Sequence, residues 1–198
     1  MRFSGPCLAS LLLLLPAVAS AVPAAPGLPR FVHLVSLEGS LCSDDAARGE
    51  FMTGFRGAFA ESSLPTARAG ARPGSTVGGA SLSNRFRLLE GGTGEGCWQV
   101  QVVADTLPRQ VVPLAGIVRT IVSILSPEAI ATNARALPER IDLAFEVKHH
   151  SPRRVFRDAG RVVALRVLER LHREIGDLRP GEVLRPEAES FRGQSLGR

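Results

Sequence analysis

Residues 141–148 read IDLAFEVK and residues 158–175 read DAGRVVALRVLERLHREI. In the first stretch Ile141, Leu143, Phe145 and Val147 alternate with Asp142, Ala144, Glu146 and Lys148, the pattern of a strand with one buried and one wet face. In the second, Val162, Leu165, Leu168, Leu171 and Ile175 recur on one side of a helix. Asp158 is a suitable N-cap, Glu169 and Arg173 stand one turn apart in the favourable order, and Gly176 offers a stop. A one-sided strand needs a sheet, and a one-sided helix needs a surface to cover. Together they imply a layered α+β fold.

The upstream sequence supplies the remaining layers. Residues 31–37 are mostly apolar and partly β-branched, as in a strand covered on both faces. Ser43 precedes Asp44 and Asp45 at the start of a helix in which Phe51, Met52, Phe55, Ala58 and Phe59 form a core-facing stripe. Residues 85–89 carry Phe86 and Leu88 on one face, and in residues 97–104 Trp98, Val100 and Val102 alternate with Gln99 and Gln101. The glycine-rich segment 90–96 between them predicts a hairpin. Ser151-Pro152 predicts a turn, with Val155 and Phe156 in a short returning strand. The architecture expected is a two-layer sandwich, a mainly antiparallel sheet with two or three helices packed on one face. The order strand, helix, strands, helix resembles that of small periplasmic modules in envelope-assembly accessory proteins.

At the N-terminus, Arg2, the apolar residues 8–15, Pro16 and the small residues Ala19, Ser20 and Ala21 form the pattern of a secretory signal peptide cleaved after Ala21. The apolar run is shorter than the roughly 20 residues that span a bilayer, so no transmembrane anchor is expected after cleavage. The organisation expected is a signal peptide at 1–21, a flexible leader at 22–30, one α+β domain at 31–178 with a mobile loop at 62–80, and a disordered tail at 179–198. The chain is then exported, periplasmic or extracellular.

Apolar residues make up 44% of the 198-residue chain and charged residues 22%, which excludes wholesale disorder. The net charge of +5 is carried almost wholly by arginine, Lys148 being the single lysine. An exported chain meets little nucleic acid, so no nucleic-acid partner is expected; anionic envelope polymers or headgroups would feel the same field. Cys42 and Cys97 remain after processing, and an even pair in an oxidising compartment predicts a disulfide.

Two surfaces stand out as binding candidates. Residues 111–125 are the most apolar segment of the mature chain; read as a helix, they align Leu114, Ile117, Val118, Ile121 and Leu125 as a partner surface or a core face. Ser126-Pro127-Glu128 then starts a further helical turn. Arg153, Arg154, Arg157 and Arg161 form a candidate anion-binding cluster, preceded by Lys148, His149 and His150. Adjacent histidines on a strand point to opposite faces, so no metal site is expected. Nucleophile-elbow, S-x-x-K and phosphate-loop signatures are absent from suitable contexts, and no cofactor is expected. The function read from the sequence is a non-enzymatic binding or assembly accessory protein of the envelope, with an envelope protein or anionic envelope polymer as partner. The alternatives are a small secreted hydrolase with a site assembled from distant residues, and a peripheral membrane binder.

Overall fold

The structure, a computed structural model, describes residues 29–68, 80–108, 115–146 and 152–185. The expected signal peptide, most of the leader, residues 69–79 of the expected loop, Leu114, Lys148, His149, His150 and residues 186–198 lie outside the described residues. A five-stranded sheet has the order β4-β1-β5-β6-β7, from β1 (Arg30–Glu38), β4 (Phe86–Leu89), β5 (Trp98–Pro108), β6 (Ala115–Leu125) and β7 (Glu139–Glu146). β1 runs parallel to both β4 and β5, whereas β5, β6 and β7 form an antiparallel meander. Helices α1 (Asp45–Ala60) and α3 (Pro152–Glu174) share one core with Val32, Phe86, Val100, Val102, Val118 and Val122, the inward residues of that sheet. The short α2 (Pro127–Ala131) buries no residue. The fold is α+β, as the alternating and helical stripes imply.

Local chemistry explains the helix starts. Asp44, one residue beyond the expected cap, accepts from the backbone N–H groups of Ala46 and Ala47 at 2.9 and 3.2 Å. Ser126 caps α2 by accepting from Ala129 N–H at 3.1 Å, with Pro127 in the first helical turn. α3 begins at Pro152 instead of Asp158, so Val155 and Phe156 are helical, not a strand.

Residues 111–125 are not a helix where described. β6 occupies Ala115–Leu125, and its β-branched Ile117, Val118, Thr120, Ile121, Val122 and Ile124 suit a pleated surface between two neighbours. A continuous apolar run fits both periods, and pairing with β5 and β7 decides between them. The predicted hairpin of 85–89 with 97–104 does not form either. β1 inserts between β4 and β5. Phe31 and Val35 remain exposed, so β1 is not covered on both faces as its apolar run implied. The 90–97 segment crosses over β1. Gly94, at φ +63°, makes that crossing possible: a Cβ there would stand 2.3 Å from His33 Nδ1.

The expected loop and tail are partly structured. β2 (Ser63–Arg68) pairs antiparallel with β3 (Ser81–Ser83) and with β8 (Glu182–Leu184), in a second sheet of order β3-β2-β8. Buried Leu64 and Leu184 supply its apolar contacts. Buried Glu169 on α3 accepts from Leu184 N–H at 3.4 Å and from Arg173 at 2.6 Å, holding β8 against the helix. These strands are short and carry no long apolar alternation, which is why their composition reads as loop and tail.

Candidate functional site

Helices α1 and α3 pack on one face of the five-stranded sheet. On the outward face of β5, β6 and β7, Gln101, Ile121, Arg140 and Asp142 are exposed and Val103, Leu107, Ile117 and Leu125 are half-buried. On that face the register sets Val103 opposite Ile121 and Leu107 opposite Ile117. Ile121 is 38% exposed. Between these apolar pairs runs a charged row: Arg119 Nε donates to Asp142 at 3.2 Å, and Arg140 Nε donates to the same carboxylate at 3.0 and 3.1 Å. The bond from Arg140 is the main cause holding the Asp142 carboxyl below its ordinary range; Arg119 adds to the effect and slight burial opposes it. One carboxylate thus holds two guanidinium groups.

The partner stripe read from residues 111–125 divides between the two faces. Ile117, Ile121 and Leu125 project outward, since a spacing of four residues keeps one side in a strand as it does in a helix. Val118 is fully buried on the inward face, and Leu114 is outside the described residues.

A groove opens at the other end of the sheet. β4 ends at Leu89, opposite His33, while β5 stays paired with β1 as far as Val103, opposite Glu38. Among the described residues the edge of β1 over 34–38 therefore has no strand neighbour. A β-bulge between Leu34 and Ser36 bends this segment, and Val35 is 42% exposed. A cavity of about 560 Å³ lies between this edge and α1, with Val35, Leu37, Arg48, Gly49 and Met52 in its wall. Arg56 donates to both oxygens of Glu90, one bond being 2.6 Å, and ties the chain leaving β4 to α1 at the groove's end.

The arginine cluster on α3 is shared out among carboxylates. Arg157 lies 2.6 Å from Glu50 and Arg161 lies 2.5 Å from Glu61, both on or beside α1, and Arg154 lies 3.9 Å from Asp158. Arg157 and Arg161 bind the two helices together, Arg154 pairs within α3 and Arg153 is exposed on its first turn, so the four do not converge on one anion.

Cys42 and Cys97 are free thiols, which corrects the expected disulfide. Cys97 precedes Trp98, which pairs with Val32 near the start of β1, whereas Cys42 lies beyond Glu38 at its far end. Between Val32 and Glu38 the strand rises roughly 20 Å at about 3.3 Å per residue. That distance is far beyond the Cα separation of about 7 Å that a disulfide tolerates. The Cys42 thiol donates to Leu37 C=O at 3.4 Å. Burial pushes its pKa up, with Glu38 and Asp105 adding and Arg48 opposing, the reverse of an activated nucleophile.

Among the described residues no cluster of three His, Cys, Asp or Glu side chains is placed to hold a metal ion, and no helix is long and apolar enough to cross a membrane. His172 is in the core beside Phe86, and His33 lies under the 90–97 crossing. No family model and no curated protein matches the chain. A solved structure titled "Crystal structure of uncharacterized protein" is similar over 73% of this chain and 94% of that one, at 7% sequence identity and a TM-score of 0.39.

Proposed function

We propose that this protein is an exported, non-enzymatic binding module of the cell envelope that docks another envelope protein on the outward face of β5 and β6. The observation that carries this reading is the apolar register pairs Val103–Ile121 and Leu107–Ile117 on the sheet face opposite the one on which α1 and α3 pack, with Ile121 exposed among the described residues. A protein partner suits this face better than an anionic polymer or lipid. Arg119 and Arg140 both engage Asp142, so their charge is already partly balanced. Two apolar pairs on either side of a charge row that is partly neutralised within the face suit a protein partner, which brings apolar and polar groups together, better than a uniformly charged one. The reading as an enzyme lacks a comparable support: the Cys42 thiol is made less acidic by burial, and His172 is enclosed in the core.

Two measurements test the two halves of the reading. The N-terminus of the protein recovered from the envelope fraction should begin at Val22; an unprocessed chain retained in the cytosol would overturn export. A photo-crosslinker at Gln101, exposed on the same outward face, should capture a defined envelope protein that is lost in the Ile117→Asp/Ile121→Asp double variant. Equal capture by wild type and variant would overturn this surface. Salt-sensitive binding of the wild type to anionic vesicles without protein capture would favour the peripheral membrane reading instead.

A further inference from the structure

The geometry points to a second recognition site, separate from the outward sheet face: the groove between the free edge of β1 and α1 takes an extended segment of a partner polypeptide by strand addition. Three observations lead there. First, the ladder on the β4 side of β1 stops at His33↔Leu89, while the ladder on the β5 side continues to Glu38↔Val103. The chain leaves the sheet after β4 through Gly91 and Gly92, both at positive φ, and so vacates the track along which β4 would have continued. What remains beside β1 among the described residues is a slot walled by Leu34, Val35, Ser36 and Leu37, of which Leu37 C=O already accepts from the Cys42 thiol. A natural sheet usually covers or disrupts such an edge, because it templates pairing with another chain.

Second, the slot has a depth that a mere edge lacks. The cavity of about 560 Å³ is bounded by β1 on one side and by Arg48, Gly49 and Met52 of α1 on the other. The five-residue edge 34–38 is roughly 16 Å long at about 3.3 Å per residue, enough for four or five residues of an added strand. Alternate side chains of that strand would point toward Met52 and Gly49 and the others toward solvent, the usual division in strand addition between backbone affinity and pocket specificity.

Third, the wall of the slot has room and little net charge. A Cβ on Gly49 would meet nothing within 4 Å, so α1 presents open space there. Arg56 is engaged by Glu90, and Asp45 and Arg48 add one charge of each sign to the lining. A backbone with its own donors and acceptors complements this wall, whereas an anion or cation would meet no excess of the opposite charge. The bulge at Leu34/Ser36 fits the same role, since bulges are concentrated where a strand is re-aimed beside a binding site.

The test uses the purified full chain and a displayed library of linear ten-residue peptides as the probe, followed by anisotropy titration of the enriched peptides as synthetic compounds. Gly49→Trp fills the slot from α1, and Gly57→Trp places the same side chain elsewhere on that helix, where a Cβ also meets open space. Enriched peptides should bind Gly49→Trp at least tenfold more weakly than wild type. Gly57→Trp and Ile117→Asp/Ile121→Asp should bind them as wild type does. Against the wild-type protein, N-methylation of alternate peptide amides should weaken binding tenfold or more and methylation of the intervening amides should not, a readout that does not depend on any variant folding. Failure to enrich any peptide, equal binding to Gly49→Trp and wild type, or indifference to the position of N-methylation would each overturn the proposal. Loss in Ile117→Asp/Ile121→Asp with retention in Gly49→Trp would move the peptides to the outward sheet face, and strand addition at β1 would then be rejected.

Discussion

Gly54 on α1 and Gly160 on α3 stand at one helix crossing, each with its Cα against the backbone of the opposite helix. A Cβ on Gly54 would lie 1.8 Å from the Arg157 carbonyl oxygen, and one on Gly160 would lie 1.9 Å from that of Phe51. Backbone cannot rotate away as a side chain does, so alanine at either position must push the helices apart. Overpacking of this kind costs about 1–3 kcal/mol and at times more, against a helix-propensity gain of up to about 1 kcal/mol for replacing glycine. Gly54→Ala and Gly160→Ala should each lower the urea midpoint, by the equivalent of about 1–2 kcal/mol net. Gly49→Ala, with open space around it, should raise the midpoint by up to about 1 kcal/mol. Similar midpoints for all three variants would contradict the close crossing.

Asn84 connects the end of α1 to the start of β4. Its Nδ2 donates to Phe59 C=O at 3.1 Å, one of the last carbonyls of the helix, and its Oδ1 accepts from Phe86 N–H at 2.9 Å. The side chain is buried, so Asn84→Leu keeps the volume but leaves a buried donor and a buried acceptor unmatched. Each orphaned group costs about 1–3 kcal/mol. Chemical denaturation should register a total loss of about 2–6 kcal/mol, well above that of a surface substitution such as Ser83→Leu.

The two cysteines make a prediction that depends on strand order alone. Peptide mapping of the protein alkylated without reductant should recover Cys42 and Cys97 each as the modified thiol, and no peptide joined through the two. Alkylation of Cys42 should speed up as the pH is raised beyond the ordinary thiol range, because burial has moved its ionisation upward. A Cys42–Cys97 crosslink obtained from the native protein would be incompatible with the parallel pairing of β1 and β5.

How much of this was legible in the sequence depends on whether an element's partner is near or far. The stripe Phe51, Phe55, Phe59 and the alternation of Ile141 with Leu143 are local, and each led to the right element. Residues 115–125 satisfied the helical and the extended period together, and only β5 and β7 on either side made them a strand. Ile117 and Ile121 were nevertheless found on one exposed face, because residues four apart share a side in both conformations; Val118, one residue away, was not. The 90–96 glycines suggested the commonest local solution, a hairpin, where β1 comes between the two strands from far upstream. The free cysteines follow from that same non-local pairing. The groove beside β1 had no sequence signal, since it arises from β4 being shorter than the strand it pairs with.

His172 should make stability fall as the pH drops below roughly 6.5. Its ring is buried edge-on against Phe86, with centroids 5.0 Å apart. Nδ1 lies 3.4 Å from Asp177, within ion-pair reach but without a hydrogen bond, and neither ring nitrogen has a hydrogen-bond partner among the described residues. Burial lowers its pKa and Arg85 adds to the fall; the Asp177 carboxylate opposes both without overcoming them. In the folded chain the ring therefore stays neutral at pH values where the unfolded chain, with an ordinary histidine pKa of about 6.5, has begun to take up a proton. The contribution is fully present above about pH 6.5, is lost as the pH falls toward the lowered folded value, and changes no further below it. One such group gives a slope of at most about 1.4 kcal/mol per pH unit. Urea midpoints measured from pH 7.5 down to 5 should fall for the wild type and fall less for His172→Phe, which keeps an aromatic ring beside Phe86 and removes the titration. Parallel curves for the two proteins would show that the buried imidazole is not the source of the dependence.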